Sequence, residues 1–219
     1  MQASTEIGVK TSELLKLFNS RTCQLVLGAG AVSVAGLKTI TIRNLAITRT
    51  SLALSALVIT SVKKHLMNLS TTITEKQSSS LVRNFDNASK DYQEHLTELD
   101  KKITQVVDAA LSHQLGNWER KPPVPSESFK AIGKQLSKFH EAVQDILPAE
   151  KVSTLFLTIH NQFLQRIRSK LVESGLKPDN SPTHGLVMSE LIFYRENLKY
   201  INVLPEDNLK DASLSVIWT

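Results

Sequence analysis

Residues 81–110, LVRNFDNASKDYQEHLTELDKKITQVVDAA, decide the fold of this chain of 219 residues. Apolar side chains recur in this stretch in steps of three and four residues, which is the spacing of one face of an α-helix. The positions on that face are Leu81, Phe85, Ala88, Tyr92, Leu96 or His95, Leu99, Ile103, Val106 and Ala110. The pattern predicts a helix of about 40 residues and roughly 60 Å. Gly116 and the prolines after Lys121 should end it.

Helical periodicity continues beyond residues 81–110. Thr72 and Glu75 form a capping box that should begin the long helix. Further helices are predicted between Pro125 and Pro148, over residues 148–173 and over residues 186–204, with a loop at 175–184 and a short last helix at 209–218. In the helix at 186–204, Leu198 follows an apolar residue by four positions and precedes another by three, so its side chain should face the interior.

No stretch alternates apolar and polar residues like a strand bounded by hairpin turns, and aromatic residues make up only 5% of the chain. We therefore expect an all-α fold, an elongated and monomeric bundle of about six to eight helices. A polar lead-in over residues 1–20 should precede a single bundle domain over residues 21–219.

Residues 24–46, QLVLGAGAVSVAGLKTITIRNLA, look at first like a dinucleotide-binding turn. The third glycine of that motif is replaced by Ser33, and no acidic residue for a ribose follows before Glu75. The small residues instead predict a helix that a neighbour approaches closely. Gly28 and Gly30 are therefore expected to serve packing, as is Leu198.

The excess of positive over negative charge lies in the first third of the chain. Residues 1–74 hold eight Lys or Arg and two acidic residues, whereas residues 75–219 hold eighteen and nineteen. A candidate interaction surface is formed by Lys38, Arg43, Arg49, Lys63 and Lys64. These cations could face solvent or a protein partner, or they could bind an anionic lipid. Nucleic acid is not expected as a partner, because Phe18 is the one aromatic residue there that could stack on a base.

The residues that enzymes need do not converge in this sequence. His140 and Glu141 start a zinc-protease pattern, but Gln144 stands where the second histidine should be. The other histidines are scattered, and His95 is expected to be a hydrogen-bonded core residue. Cys23 is the single cysteine and should be buried. No catalytic residue, metal or cofactor is therefore predicted.

Three smaller expectations concern exposure. Residues 22–37 and 50–62 are uncharged but shorter than the roughly 18 to 20 residues that span a bilayer, so buried helices are expected. The carboxylates of Glu98 and Asp100 should face solvent, because residues two apart do not share a helix face.

Several short motifs occur in the order found in a known family. They include residues 25–41 with Arg43-Asn44-Leu45-Ala46, Lys90-Asp91-Tyr92, Pro123-Val124-Pro125-Ser126, His140-Glu141-Ala142, Gly185-Leu186-Val187 and Ile217-Trp218. As a set they resemble the C-terminal domain of the vacuolar protein sorting-associated protein 54 family, whose members are subunits of the Golgi-associated retrograde protein (GARP) tethering complex. The resemblance covers about residues 12–218.

The resemblance implies a non-enzymatic module at the end of a tethering-complex rod. It would act in retrograde transport from endosomes to the trans-Golgi network and bind an endosomal membrane protein or lipid. Sister subunits and SNAREs would be engaged mainly by an N-terminal half that this chain lacks, and the location would be cytosolic and peripheral at those membranes. The alternative is a peripheral helical domain that binds anionic lipid directly through its basic N-terminal part.

Overall fold

The computed structural model describes residues 2–28, 31, 39–69, 75–210 and 217 of the chain. Six α-helices and one short 3₁₀ helix are found in these ranges, and the same ranges contain no strand. The helices are α1 (Gln2–Gln24), α2 (Ile42–Leu69), α3 (Glu75–Gly116), α4 (Glu127–Val143), α5 (Ala149–Glu173) and α6 (Pro182–Ile201), followed by the 3₁₀ helix Glu206–Leu209. The predicted all-α class is confirmed.

The long helix predicted from residues 81–110 is α3, which has 42 residues and is about 63 Å long. Its buried face departs from the prediction near the C-terminal end, where Val106 is 39% exposed and Val107 is buried, followed by Leu111 and Leu115. Each step of four residues exceeds one helical turn by about 40°. The buried face therefore turns around α3 after Leu99, and the prediction of Val106 was wrong. Thr72, half of the predicted capping box, lies outside the described residues.

The chain divides into two compact units, of which unit 1 is Met1–Lys102. It contains α1, α2 and the larger part of α3, and α1 packs directly on α2. The hydroxyl of Tyr92 in α3 donates a 2.9 Å hydrogen bond to the backbone carbonyl of Leu15 in α1. Because this bond joins residues far apart in sequence, it ties α1 to α3. The predicted boundary at residue 20 falls inside α1, and the division into lead-in and bundle stays a prediction.

Unit 2 is Ile103–Thr219 and contains the end of α3 with α4, α5 and α6. Aromatic rings form its centre: Phe163 of α5 stacks on Tyr194 of α6 at 4.2 Å and meets Phe129 of α4 edge-on at 6.2 Å. Gly133 lets α4 approach α6, since a Cβ atom there would lie 2.8 Å from the side-chain oxygen of Asn197. These contacts bring three helices together around one apolar core.

Side chains at the helix ends explain where the helices of unit 2 begin. The hydroxyl of Ser126 accepts a hydrogen bond from the Phe129 backbone N–H and caps α4. Ser181 does the same for His184, and Pro182 occupies the first turn of α6. The predicted loop at 175–184 is therefore too long, because its last three residues belong to α6.

One face of α2 is buried and the opposite face is not. Leu45, Leu52 and Ile59, each seven residues from the next, are at most 1% exposed, whereas Leu54 and Leu57 are 60% and 69% exposed. By length and composition alone, residues 42–68 of this helix could cross a membrane. Only 28% of its most apolar 18-residue stretch is buried in the protein. The expectation that residues 50–62 form a buried helix was correct for the helix and wrong for its burial.

Candidate interaction surface

Gly28, the first glycine of residues 24–46, does not lie in a helix. α1 ends at Gln24, and Gly28 lies in the bend that follows. A Cβ atom on Gly28 would lie 2.9 Å from the backbone carbonyl oxygen of Gln24. The closest approach at Gly28 is thus to the preceding turn of its own chain. Gly30 lies outside the described residues.

Two of the five predicted basic residues are engaged inside unit 1. The guanidinium of Arg49, whose side chain is only 12% exposed, donates a 2.9 Å hydrogen bond to the carboxylate of Asp100. Lys63 of α2 forms an ion pair with Asp86, which lies in α3 as Asp100 does. Both cations therefore link α2 to α3. The expectation that Asp100 faces solvent was wrong, because Arg49 on the neighbouring helix reaches it.

Arg43 and Lys64 are the predicted cations that the structure leaves on the surface. Both side chains are exposed, and neither forms an ion pair with another described residue. They lie near opposite ends of α2, and Lys38 falls outside the described ranges. The structure does not bring the five basic residues together into one compact patch.

Apolar side chains occupy the surface of α2 between those two cations. The exposed fractions are 47% for Ile47, 60% for Leu54, 69% for Leu57 and 51% for Val58. We call the set of exposed side chains Arg43, Ile47, Leu54, Leu57, Val58 and Lys64 the α2 outer face. Sequence reasoning missed this face. The signal that could have found it is a second apolar stripe, because Ile47, Leu54 and Val58 follow the helical spacing i, i+7, i+11.

A histidine–tyrosine pair lies buried in unit 2. His160 is 3% exposed, and its Nδ1 lies 3.0 Å from the hydroxyl of Tyr194, with the two rings stacked at 5.8 Å. Burial lowers the pKa of His160 to about 4, and a backbone hydrogen bond at Asn208 acts in the opposite direction. Burial raises the pKa of Tyr194. Both groups therefore stay neutral, and the pair serves the core and not proton transfer with solvent.

A buried carboxylate holds the start of α4 against α6. Glu190 is 2% exposed, and its two oxygens accept hydrogen bonds of 3.0 and 3.2 Å from the backbone N–H of Ser126. Ser126 is also the residue that caps α4. Glu190 thus stabilises the connection between two helices, and its carboxylate is covered on the inside of unit 2.

The remaining candidate residues have structural partners. The Nδ1 of His95 lies 2.9 Å from the side-chain oxygen of Asn19, as expected for a hydrogen-bonded histidine. His140 packs edge-on against Phe156. Cys23 is 6% exposed, and burial raises the pKa of its thiol to about 11. Within the described ranges, no group of three or more His, Cys, Asp or Glu side chains is placed to hold a metal ion.

The fold and these surfaces define a helical module without a converging catalytic constellation among the described residues. Residues 1–109 match the family model of Vps54-like proteins. Vacuolar protein sorting-associated protein 54 of Homo sapiens is 39% identical over 215 residues, which are 98% of this chain and 21% of that protein. The Drosophila melanogaster protein of the same name is 37% identical over 206 residues, 94% of this chain and 20% of that protein.

Two solved structures show the same relationship. One is described as the C-terminal domain of the Vps54 subunit of the GARP complex. It is 34% identical, has a TM-score of 0.53 and matches 61% of this chain and 99% of its own. A second, a Vps54 C-terminal domain, is 35% identical with a TM-score of 0.54 and is matched over 97% of its length. The chain belongs to the family of Vps54-like proteins, and it spans about a fifth of the length of the curated relatives named above.

Proposed function

We propose that the chain is the C-terminal module of a subunit of the GARP tethering complex, which acts in retrograde transport from endosomes to the trans-Golgi network. The observation that carries the proposal is the 34% identity to a solved C-terminal domain of a GARP subunit, over 99% of that domain. Identity of this size over a whole domain supports a shared role as well as a shared fold.

The module acts by binding and carries out no chemistry. Its task is to present a helical surface to an endosomal membrane component, while sister subunits and SNAREs are engaged mainly by the part of the longer protein that this chain does not include. It works on the cytosolic side, peripheral to endosomes and the trans-Golgi network. The burial of the polar groups Glu190 and His160 supports a rigid scaffold, because both hold helices of unit 2 together.

A chimera tests this proposal directly. The chain replaces the C-terminal fifth of the Drosophila melanogaster relative and is expressed in fly cells that lack that relative. We expect the chimera to restore retrieval of an endosomal cargo to the trans-Golgi network. The matched control carries Tyr200→Ser, a change at a side chain 90% exposed on α6, and should behave like the unchanged chimera.

The readout separates assembly from function. Co-purification of the sister subunits shows that the chimera assembles, and cargo retrieval shows that its C-terminal module works. A chimera that is present at normal level and assembles, yet leaves the cargo in endosomes, would contradict the proposal.

A further inference from the structure

We propose that the α2 outer face binds the surface of an anionic lipid bilayer. The inference rests on the proposed function, because it names the lipid surface as the endosomal component that the module recognises. It concerns unit 1 alone, and the residues that carry it are Ile47, Leu54, Leu57 and Val58 with Arg43 and Lys64.

The apolar part of this face forms a continuous stripe. Ile47, Leu54 and Val58 share one side of α2 over three turns, a distance of about 17 Å, and Leu57 widens the stripe. Soluble proteins rarely leave so many large apolar side chains together in water, and such patches mark binding surfaces. Side chains of this kind enter the boundary between lipid headgroups and acyl chains when a helix lies flat on a membrane.

The charge of α2 favours an anionic partner. None of its 28 residues is Asp or Glu, and the exposed cations Arg43 and Lys64 lie about 32 Å apart near its two ends. An apolar centre between two cations matches a bilayer, where acyl chains lie beneath negatively charged headgroups. Arg49 and Lys63 are not counted in this match, because Asp100 and Asp86 engage them.

A second exposed apolar stripe, on α1, provides a comparison. Ile7 is 59% and Leu14 is 65% exposed, but Glu6 and Glu13 are also exposed on that helix. The Glu13 carboxylate is paired with Lys10 at 3.1 Å, but the carboxylate of Glu6 still places a negative charge beside the stripe, which opposes binding to an anionic membrane. Charge therefore distinguishes α2 from α1 although both helices expose leucine and isoleucine.

The packing of α2 favours lying on the membrane over crossing it. Its inner face, with Leu45, Leu52 and Ile59, is already buried in unit 1. A helix whose inner face is covered by protein can offer only its outer face to lipid.

Sedimentation with vesicles tests the inference. The full chain is mixed with phosphatidylcholine vesicles with or without phosphatidylserine, at low and high salt. We expect binding that requires phosphatidylserine and weakens as salt screens the charges. The variant Leu54→Ser/Leu57→Ser should bind roughly tenfold more weakly or worse, because two apolar side chains no longer enter the membrane. Arg43→Gln and Lys64→Gln should each weaken binding roughly fivefold.

The matched control is Ile7→Ser/Leu14→Ser, which makes the same kind of change on α1 and should bind like the unchanged chain. Circular dichroism melts of every variant establish that binding is compared between folded proteins, as expected for changes at exposed positions. Binding by the Leu54→Ser/Leu57→Ser variant that equals the unchanged chain would overturn the inference, as would equal binding to vesicles without phosphatidylserine.

Comparing vesicle binding with cargo retrieval by the chimera distinguishes the lipid inference from the proposed function. A chain that fails to bind vesicles but supports retrieval in the chimera has a protein partner, which overturns the lipid inference and leaves the proposed function standing. A chain that binds vesicles through the α2 outer face but does not support retrieval leaves the lipid surface standing and contradicts the proposed function.

Discussion

His160 shows at the scale of one residue how burial sets chemistry. The imidazole lies against the hydroxyl of Tyr194 at 3.0 Å and is 3% exposed, so the charged form is disfavoured and the pKa falls from 6.5 to about 4. Between these two values the unfolded chain binds a proton that the folded chain does not. Protonation therefore favours unfolding as the pH falls below about 6.5, and the contribution is absent above it.

The pH dependence of stability tests this assignment. We expect the free energy of unfolding to fall by about 2 kcal/mol between pH 7 and pH 5 through His160 alone. In His160→Gln this part of the pH dependence should disappear, although the variant is less stable at pH 7. Denaturant unfolding at the two pH values measures the difference. An unchanged pH dependence in His160→Gln would show that the folded chain protonates this imidazole normally.

Leu198 is a residue whose replacement should act through stability. Its side chain in α6 is 1% exposed. In Leu198→Gln, the lost apolar burial and an unpaired amide should together cost roughly 2 to 5 kcal/mol. The variant can still fold if the domain has the usual stability of about 5 to 15 kcal/mol, but proteases should degrade it faster in cells.

The measurements for Leu198→Gln are its melting temperature and its steady-state level in cells. We expect both to fall, with near-normal localisation of the molecules that survive. A purified variant that melts like the unchanged chain but fails to reach endosomes would instead place Leu198 on a partner surface.

At the scale of elements, the approach of α4 to α6 depends on Gly133. A Cβ atom at this position would lie 2.8 Å from the Asn197 side-chain oxygen, and the amide of Asn197 is held by a 2.8 Å hydrogen bond to the carbonyl of Phe193. The glycine costs the helix about 1 kcal/mol relative to alanine. The close packing of the two helices offsets that cost.

A double-mutant cycle tests the contact. We expect Gly133→Ala to destabilise the chain by about 1 kcal/mol, because Asn197 must leave its place. In the background Asn197→Ala, where space is open, the same change should stabilise by about 1 kcal/mol. Gly185→Ala is the matched control, since a Cβ atom in that turn of α6 would meet nothing within 4 Å. Equal effects of Gly133→Ala in both backgrounds would exclude the contact as the cause.

At the scale of the whole molecule, we expect a binding protein that takes neither nucleotide nor metal. A Cβ atom on Gly28 would lie 2.9 Å from the carbonyl oxygen of Gln24, so this glycine serves the turn of its own chain. No cluster of metal-binding side chains is found in the described ranges.

Thermal unfolding with added ligands tests this expectation. Neither NAD nor ATP should raise the melting temperature, and a chelator should not lower it, because a ligand stabilises only the state that binds it. A clear upward shift with either nucleotide would contradict the packing role of Gly28.

The sequence by itself determined the helices from Glu75 onward and roughly where they begin and end, whereas α1 was expected as a polar lead-in and the bounds of α2 were not predicted. α3, α4 and α5 could be predicted because helical periodicity and capping depend on residues within a few positions of one another. Burial could be predicted only where one stripe was apolar throughout, as at Phe85 and Leu99.

Tertiary structure decided which side chains meet a neighbour. Val107 is buried in place of Val106, Arg49 reaches Asp100, and Leu54 stays exposed. Each outcome depends on whether a helix from a distant part of the chain packs at that position. Local spacing contains no information on such packing. The second apolar stripe of α2 can be found from helical spacing, but its exposure cannot be predicted, because an apolar stripe has the same spacing whether another helix or water covers it.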